Sequence, residues 1–332
     1  MKINKLINLT LAGALVISLL TGCSKNNSLS DSNKDIKTVG ITQIVEHPSL
    51  DKAREGFIRA LDDNGYKDGE NIKIDYQNAQ NDMPTTQTIA NKFISDKKDL
   101  IYAISTPSAQ STYNATKDIP ILITAVTDPI AAGLVKSMDK PSGNVSGTSD
   151  YISIDKNLEL IKMFIPSAKT IGVLYNTSEV NSKVQVDTLK EYASKNNYKV
   201  IEKGVSTINE INQAMSSLVG DIDVLYIPTD NLIVSAMPIV SKTAINNKIP
   251  VISSEESSVK VGALACQGID YEKLGYKTGE LAVKVLNGEE ISNIPIATLD
   301  ETEIIVNEDT LKALSLKKID NKNIKYIVTE KN

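Results

Sequence analysis

The chain has 332 residues, about twice the length of a common domain, so we expect two lobes that each bury a core. Hydrophobic residues at 41% and charged residues at 23% are ordinary globular values, which argue against a disordered chain and a protein with many membrane spans. The net charge of -5 disfavours nucleic acid as a partner, and one His, two Cys and no Trp exclude a His-rich metal site, a Cys-based zinc site and a disulfide framework.

The N-terminus combines a short basic region with an apolar run over residues 6–20. The sequence Leu20-Thr-Gly-Cys23 follows directly and resembles a bacterial lipobox. Because a membrane-spanning helix needs about 20 apolar residues, a signal peptide over residues 1–22 is favoured over an uncleaved membrane anchor. The resemblance implies that Cys23 is lipidated and holds the protein on the outer face of the bacterial membrane, at the cell surface.

Two further features follow from that anchor. Residues 23–36 are rich in Ser, Asn, Lys and Asp without apolar periodicity, so we predict a flexible tether between the lipid and a folded body. With Cys23 lipidated, Cys266 is left alone in an apolar stretch. It is predicted to be a small buried hydrophobic residue rather than a nucleophile.

The first half of the body alternates between strand and helix patterns. Ala53, Phe57 and Leu61, for example, recur at helical spacing. Strands are predicted at 38–43, 71–76, 99–104 and 119–124, and helices at 50–64, from Pro84 and from Pro107. This order predicts a parallel sheet with helices on both faces.

The second half repeats the alternation. Strands are predicted at 170–175, 199–203, 223–228 and 249–252, and helices at 183–196, 208–218 and 234–246. Local echoes support a repeat: Asp99-Leu-Ile-Tyr102 matches Asp223-Val-Leu-Tyr226, and Asp118-Ile-Pro-Ile121 matches Lys248-Ile-Pro-Val251. We therefore predict two similar lobes.

Polar residues cluster where the predicted strands end. The segments are Glu46-His-Pro48, Ser105-Thr-Pro107, Thr127-Asp-Pro129, Asn176-Thr-Ser-Glu-Val-Asn181, Thr229-Asp-Asn231 and Ser253-Ser-Glu255. Any single segment is at least as well explained as a turn or a helix cap. Together they favour a cleft between two sheet edges, where loops and helix N-termini offer free backbone N–H groups.

Several of these segments resemble one family in particular. The matching segments are Gln43-Ile-Val-Glu-His-Pro48, Ala125-Val-Thr-Asp-Pro129, Leu174-Tyr-Asn176, Tyr226-Ile-Pro-Thr-Asp-Asn231, Gly262-Ala-Leu-Ala265 and Asp270-Tyr271. They are similar to ABC-transporter substrate-binding lipoproteins of the tryptophan- or tyrosine-binding family, and the match runs nearly gapless from about Lys37 to Lys317.

The resemblance implies the α/β type I periplasmic-binding-protein fold, with two Rossmann-like lobes and parallel sheets joined by a three-segment hinge. It places the hinge segments near 146–151, 265–270 and 294–301. The N-terminal lobe is then expected over 37–147 plus 268–295, and the C-terminal lobe over 148–267 plus 296–332.

The resemblance also implies a receptor that closes on an aromatic amino acid, tyrosine before tryptophan or phenylalanine, and delivers it to an ABC permease. Ser105, Thr106 and Thr127 suit the ligand carboxylate. The acids that could take the ammonium group are Asp128, Asp150, Asp230 and Asp270, with Asp230 preferred, although each could equally be a cap or a solvated side chain.

Other residues at the predicted cleft could contact the side chain of the ligand. A polar tip such as a phenol could be bound by Glu46, Glu179, Asn181 and Asn231, with Asn176 and Thr229 beside them. His47 could do the same, stack on a ring or only hold its loop. Tyr151 and Tyr271 are candidates for lining the pocket, or for packing at the hinge.

The sequence leaves other function classes to consider. A sugar or nucleoside is the alternative ligand, although a chain with no Trp and 3 Phe has few aromatic faces to stack on sugar rings. An adhesin that uses the same body is a second alternative. An enzyme is disfavoured because no G-x-S-x-G, H-E-x-x-H or phosphate-loop motif occurs, and a LacI-type repressor would begin with a basic helix-turn-helix. We expect a monomer without a cofactor.

Overall fold

A computed structural model describes residues 36–141 and 143–330. The predicted signal peptide, the lipidation site at Cys23 and nearly all of the tether lie outside the described residues. Within the described part of the chain, no helix has both the length and the apolar character needed to cross a membrane.

The first sheet has five parallel strands. In chain order they are β1 (Lys37–Gln43), β2 (Ile72–Asn78), β3 (Leu100–Ile104), β4 (Ile121–Thr124) and β5 (Val145–Gly147). Their order in the sheet is β2-β1-β3-β4-β5, the order of a doubly wound α/β unit. The helices α1 (Pro48–Asp63), α2 (Met83–Ser95) and α3 (Thr106–Ala115) connect the first four strands.

The second sheet has seven strands. They are β6 (Thr170–Asn176), β7 (Lys199–Val205), β8 (Val224–Ile227), β9 (Val251–Ser253), β10 (Ala265–Gly268), β11 (Glu303–Asn307) and β12 (Ile324–Ile327), in the order β12-β11-β10-β9-β8-β6-β7. All neighbours are parallel except β10 and β11.

The remaining helices pack around this second sheet or return to the first. They are α4 (Ile154–Phe164), α5 (Val180–Lys195), α6 (Ile211–Leu218), α7 (Asn231–Ser235), α8 (Met237–Asn246), α9 (Glu256–Lys260), α10 (Tyr271–Leu286) and α11 (Glu308–Ala313). Two short 3₁₀ helices cover Ile208–Glu210 and Ile291–Asn293.

The chain passes between the two sheets three times. It leaves the first sheet after β5 and enters α4, returns after β10 to place α10 against α1, and leaves again before β11. Glycines allow the close approach of α10 to α1, because a Cβ on Gly275 would lie 1.8 Å from the Ala53 carbonyl oxygen. The three-segment connection expected from the resemblance is therefore present.

The predicted echo between the lobes extends to hydrogen bonds. Asp99 accepts from the backbone N–H of Thr38 at 2.8 Å, and Asp223 accepts from that of Thr170 at 2.8 Å. Each Asp stands just before a central strand and joins it to the first strand of its own sheet. The two lobes thus use the same residue type for the same task.

The structure corrects some element predictions. The helix predicted over 234–246 is two helices, α7 and α8, that meet at Ala236. Pro238 lies in the first turn of α8, where its missing N–H costs nothing, and it could not continue the preceding helix. Residues 265–268 were predicted only as hinge, but they form β10 in the second sheet.

Candidate functional site

The carboxyl ends of the central strands of both sheets face each other, and the lobes touch there. Ser49, at the start of α1, donates a hydrogen bond to the hydroxyl of Ser257 in α9 at 2.8 Å. Ser257 in turn donates to Oε2 of Glu255 at 3.2 Å. All three residues are buried, so the cleft is in a closed arrangement.

Hydroxyl groups line the first-lobe side of the cleft. Ser105 precedes α3 with φ of 85°, a conformation that non-glycine residues rarely adopt. The side-chain oxygens of four buried residues have no hydrogen-bond partner among the described residues: Ser105, Thr106, Ser108 and Thr127. Because an unpaired buried hydroxyl costs free energy, such a cluster indicates groups arranged for a bound molecule.

His47 lies in the same cleft and is buried. Neither of its ring nitrogens has a hydrogen-bond partner within the described ranges. Burial lowers the pKa of His47 to about 4, and the Asn231 side chain, which approaches from the second lobe, offsets only part of that shift. At neutral pH the imidazole is therefore uncharged and can accept or donate one hydrogen bond to a ligand.

Glu179 organises the loops of the second lobe. Its carboxylate accepts from the side-chain amides of Asn176 at 3.1 Å and Asn181 at 3.0 Å. It also accepts from the backbone N–H groups of Asn231 and Leu232, each at 3.2 Å, and from the Asn231 side chain. These bonds fix three predicted site residues around one carboxylate. The free Oδ1 of Asn181 has no partner among the described residues.

Asp230 is also held within its own lobe. Oδ2 accepts from the Asn176 N–H at 2.6 Å and the Ser182 hydroxyl at 2.7 Å, and Oδ1 accepts from the Ile233 N–H at 2.8 Å, which caps α7. Burial and the neighbouring Glu179 raise the pKa of Asp230 to about 8. These contacts argue against the predicted preference for Asp230 as the ammonium partner.

Two further buried acids have fewer internal contacts. Oδ2 of Asp150 accepts from the Tyr271 hydroxyl at 2.8 Å, while Oδ1 has no partner in the described part of the chain. Burial raises the pKa of Asp150. The Tyr271 hydroxyl, which donates to Oδ2, and the Thr127 hydroxyl, which lies near the carboxylate without forming a hydrogen bond, oppose that rise. Burial, together with the nearby charges of Asp150 and Glu179, raises the pKa of Glu255 to about 7. Within the described ranges, no Lys or Arg forms an ion pair with any of these buried acids.

Other predicted site residues have different surroundings. Asp128 accepts from the backbone N–H groups of Ile130 and Ala131, and the exposed Asp270 caps α10. These contacts argue against either acid as an ammonium partner. Tyr151 is 56% exposed, which argues against it as a pocket residue. Glu46 is exposed and Thr229 is half-buried.

The sequence-based site omitted some residues that the structure brings to this region or leaves unpaired. The sequence predicts Glu255 only as part of a polar strand end. The hydroxyls of Thr42, Tyr76, Ser108 and Ser253 are buried without a partner among the described residues. The signal that could have identified Glu255 and Ser253 is their position directly after an apolar strand, which the predicted site residues share.

Comparison with known proteins gives a consistent family. The profile described as ABC transporter substrate binding protein matches residues 38–325. The chain is 69% identical to the tyrosine-binding protein of Clostridioides difficile strain R20291 over 338 aligned positions, which cover 100% of this chain and 98% of that protein.

Solved structures extend the comparison. A ligand-free, open substrate-binding protein with adhesive properties from Clostridium difficile is 71% identical, with a TM-score of 0.69 over 89% of this chain and 100% of that one. An ABC domain in complex with L-Trp from Streptococcus pneumonia is 36% identical, with a TM-score of 0.85 over 88% of this chain and 99% of that one. More distant periplasmic binding proteins share the fold alone, one at 14% identity.

These similarities confirm both the predicted family and the predicted two-lobed α/β fold. The family profile covers nearly all of both sheets, from the second residue of β1 to the second residue of β12. The chain therefore belongs to the ABC transporter substrate binding protein family.

Proposed function

We propose that this protein is the extracytoplasmic receptor of an ABC importer and captures an aromatic amino acid, tyrosine in preference to tryptophan or phenylalanine, between its two lobes. One observation carries the proposal. A closed cleft brings buried acids and buried hydroxyls together, and in the described part of the chain the acids have no cationic partner and the hydroxyls have no hydrogen-bond partner. Such a cleft is complementary to a small molecule that has both an ammonium group and a carboxylate.

Each end of an amino acid has suitable partners here. The ammonium group compensates buried carboxylates, which are costly to ionise without a cation nearby. The carboxylate suits the N-terminus of α3, a helix of 10 residues, where backbone N–H groups and the hydroxyls of Ser105 and Thr106 are neutral donors. A neutral His47 and the Asn181 amide can satisfy a polar tip such as a phenol.

The choice of an aromatic side chain is supported by relatives. The tyrosine-binding protein matches the whole chain, and the L-Trp complex matches both lobes. A sugar or nucleoside remains the alternative ligand, and the scarcity of aromatic residues, with no Trp and 3 Phe, disfavours the sugar.

Closure of the lobes is the proposed mechanism of capture. The more similar relative, in its open form, superposes less well than the less similar relative that holds L-Trp. Sequence identity alone would give the open relative the higher TM-score. Because the L-Trp complex has the higher TM-score instead, the comparison supports a closed arrangement of this chain. Ligand contacts from both lobes would shift the open and closed populations toward closure.

The remaining parts of the proposal come from the sequence. A signal peptide over 1–22 and a lipid on Cys23 would place the receptor on the outer face of the cell membrane, where an ABC permease accepts the ligand. We propose a monomer that acts without a cofactor and catalyses no reaction. The lobe boundaries given above, 37–147 plus 268–295 and 148–267 plus 296–332, remain part of this proposal.

The test is a binding experiment on residues 24–332, produced without the lipid. The melting temperature is measured against a panel of single amino acids, nucleosides and sugars, and calorimetry confirms each hit. A ligand at about 100 times its dissociation constant stabilises the fold by about 2.7 kcal/mol. A shift confined to aromatic amino acids supports the proposal, and a response to sugars or nucleosides alone overturns the ligand assignment.

A second function is adhesion. The observation that favours it is the 71% identical protein with adhesive properties. We propose that an outer face of the same body binds host cells or matrix, and the lipid-free protein should then bind them in a saturable manner. Equal binding by an unrelated acidic lipoprotein would remove this function.

A further inference from the structure

The cleft contains more buried acids than one ammonium group needs, so the acids must have different roles. We propose that Asp150 and Glu255 together hold the cationic group of the ligand, while Glu179 and Asp230 only shape the second lobe. This inference rests on the proposed function, since it assumes a ligand that is an amino acid.

Hydrogen bonds within the second lobe occupy the carboxylates of Glu179 and Asp230, which argues against both as ligand contacts. The Glu179 carboxylate accepts from three Asn side chains and two backbone N–H groups, and the Asp230 carboxylate accepts from three donors. A carboxylate has about four acceptor positions, so these groups have little capacity left for a ligand. Their bonds also begin and end within the second lobe. They therefore position the loops that carry Asn181 and Asn231.

Asp150 keeps an acceptor oxygen for a ligand. It is 3% exposed, and it lies on the first crossing between the lobes. The Tyr271 hydroxyl, from the first helix turn after the second crossing, fixes Oδ2 at 2.8 Å. Oδ1 has no partner among the described residues. The carboxylate is thus held in place by one oxygen and offers the other.

Among the described residues, the hydrogen-bond partners of the Glu255 carboxylate are hydroxyl groups. Glu255 is 2% exposed, Oε2 accepts from Ser257 at 3.2 Å, and the Ser49 hydroxyl lies nearby. The charge of Asp150 reaches Glu255, where it is one of the causes that raise the pKa of this carboxyl group. Two like charges brought together by closure need a cation between them, and neither acid forms an ion pair with a described Lys or Arg. A ligand ammonium group supplies that cation.

A pair of acids should discriminate strongly against ligands without the amine. We therefore compare tyrosine with 3-(4-hydroxyphenyl)propionate, which keeps the phenol and the carboxylate but lacks the ammonium group. Calorimetry measures both dissociation constants for the wild type and for Glu255→Gln, Asp150→Asn and Glu255→Asp. The matched control is Glu256→Gln, because Glu256 is the next residue and pairs with surface lysines instead.

The wild type should bind tyrosine at least about 100-fold more tightly than the analogue. Glu255→Gln and Asp150→Asn should each reduce this preference to about tenfold or less, mainly by weakening tyrosine. Glu255→Asp and Glu256→Gln should retain it. Circular dichroism verifies folding, and if one neutral variant is unfolded the other carries the test.

The outcomes separate the two proposals. If the wild type binds tyrosine and both neutral variants retain the full preference, the ammonium site lies elsewhere and this inference is overturned. If Glu256→Gln lost as much of the preference for tyrosine as Glu255→Gln, this inference would also be overturned, since the effect would then come from general surface charge. If the wild type binds no aromatic amino acid, the proposed function itself has failed.

Discussion

Ser105 combines strain with an unpaired hydroxyl. Its φ of 85° and ψ of 158° lie in a region populated almost only by glycine, which costs about 1–3 kcal/mol for other residues. Its Oγ has no partner in the described part of the chain. A strained serine at the start of α3 is best explained by what its hydroxyl does for a ligand.

Ser105→Gly should therefore stabilise the protein without ligand by about 1 kcal/mol and weaken tyrosine binding. Ser105→Ala should weaken binding to the same extent without the gain in stability, because alanine keeps the strain and loses only the hydroxyl. Urea unfolding and calorimetry measure the two effects. Wild-type affinity in Ser105→Gly would show that the hydroxyl does not contact the ligand.

The buried Glu255 predicts a dependence of stability on pH. Its pKa is raised from 4.5 to about 7, mainly by burial and further by Asp150 and Glu179. The hydroxyls of Ser49 and Ser257 oppose the rise, and Tyr271 and Cys266 nearby are neutral. Between these pH values the unfolded chain ionises the group while the closed fold does not. The contribution of Glu255 to the free energy of unfolding is therefore complete below pH 4.5 and is lost as the pH rises to about 7.

Glu255→Gln should remove this loss. Between about pH 5 and about pH 8, the free energy of unfolding of the variant should rise relative to that of the wild type by at most about 3 kcal/mol. Opening of the cleft sets this limit, because it hydrates the Glu255 carboxylate and so reduces the cost of ionising it. His47 titrates in the opposite sense but is common to both proteins. Urea unfolding at the two pH values gives the difference, and a pH-independent difference would contradict the prediction.

At the scale of elements, the close contact of α1 and α10 joins the first lobe to a segment more than 200 residues away in sequence. Alanine usually stabilises a helix by about 0.5–1 kcal/mol relative to glycine. Here the added Cβ would lie 1.8 Å from the Ala53 carbonyl oxygen, so the helices would have to separate. Gly275→Ala should thus destabilise the protein by about 1–3 kcal/mol or more.

Glu280→Ala is the matched control, since Glu280 is an exposed residue of the same helix. It should change the free energy of unfolding by less than about 0.5 kcal/mol. Urea unfolding of both variants tests the pair. A stabilising effect of Gly275→Ala would mean that propensity dominates and that α1 and α10 do not pack this closely.

The sequence predicted elements best where long apolar runs alternate with helical spacing. Strands β1 to β4 and β6 to β9 were expected near their observed positions, whereas β5, β10, β11 and β12 were not. These are short strands of three to five residues, and β5 and β10 contain Gly and Ser or Gln, so their pairing depends on neighbours distant in sequence. Tertiary contacts, rather than local pattern, determine them.

The site was predicted in position but not in the roles of its acids. Strand ends correctly suggested a polar cleft. Asp230 and Glu255 follow apolar strands in the same manner. Asp230 nevertheless caps α7 with all its hydrogen bonds inside one lobe, whereas Glu255 accepts from a hydroxyl as its one side-chain hydrogen bond among the described residues. Which acceptor positions are filled depends on side-chain geometry across loops. No spacing in the sequence encodes that difference.

At the scale of the whole molecule, function depends on the balance between open and closed arrangements. The hydrogen bond from Ser49 to Ser257, 2.8 Å long, joins the lobes directly and exists only when they meet. A buried neutral hydrogen bond contributes about 1 kcal/mol, or about fivefold in an equilibrium constant. This bond should therefore favour closure without touching the ligand.

Ser49→Ala should raise the dissociation constant of tyrosine about fivefold. Ser257→Ala should raise it at least as much, because it also removes the hydrogen bond to Glu255. The double variant should do little more than Ser257→Ala alone, because the bond between the two serines is already lost. Ser217→Ala, on the exposed face of α6, should leave affinity unchanged. Calorimetry of the wild type, both single variants and the double variant gives the coupling. X-ray scattering should show a larger radius of gyration for Ser49→Ala without ligand. Independent, multiplicative losses would mean that each serine acts alone. Unchanged affinity in all variants would show that closure is driven by ligand contacts and not by this bond.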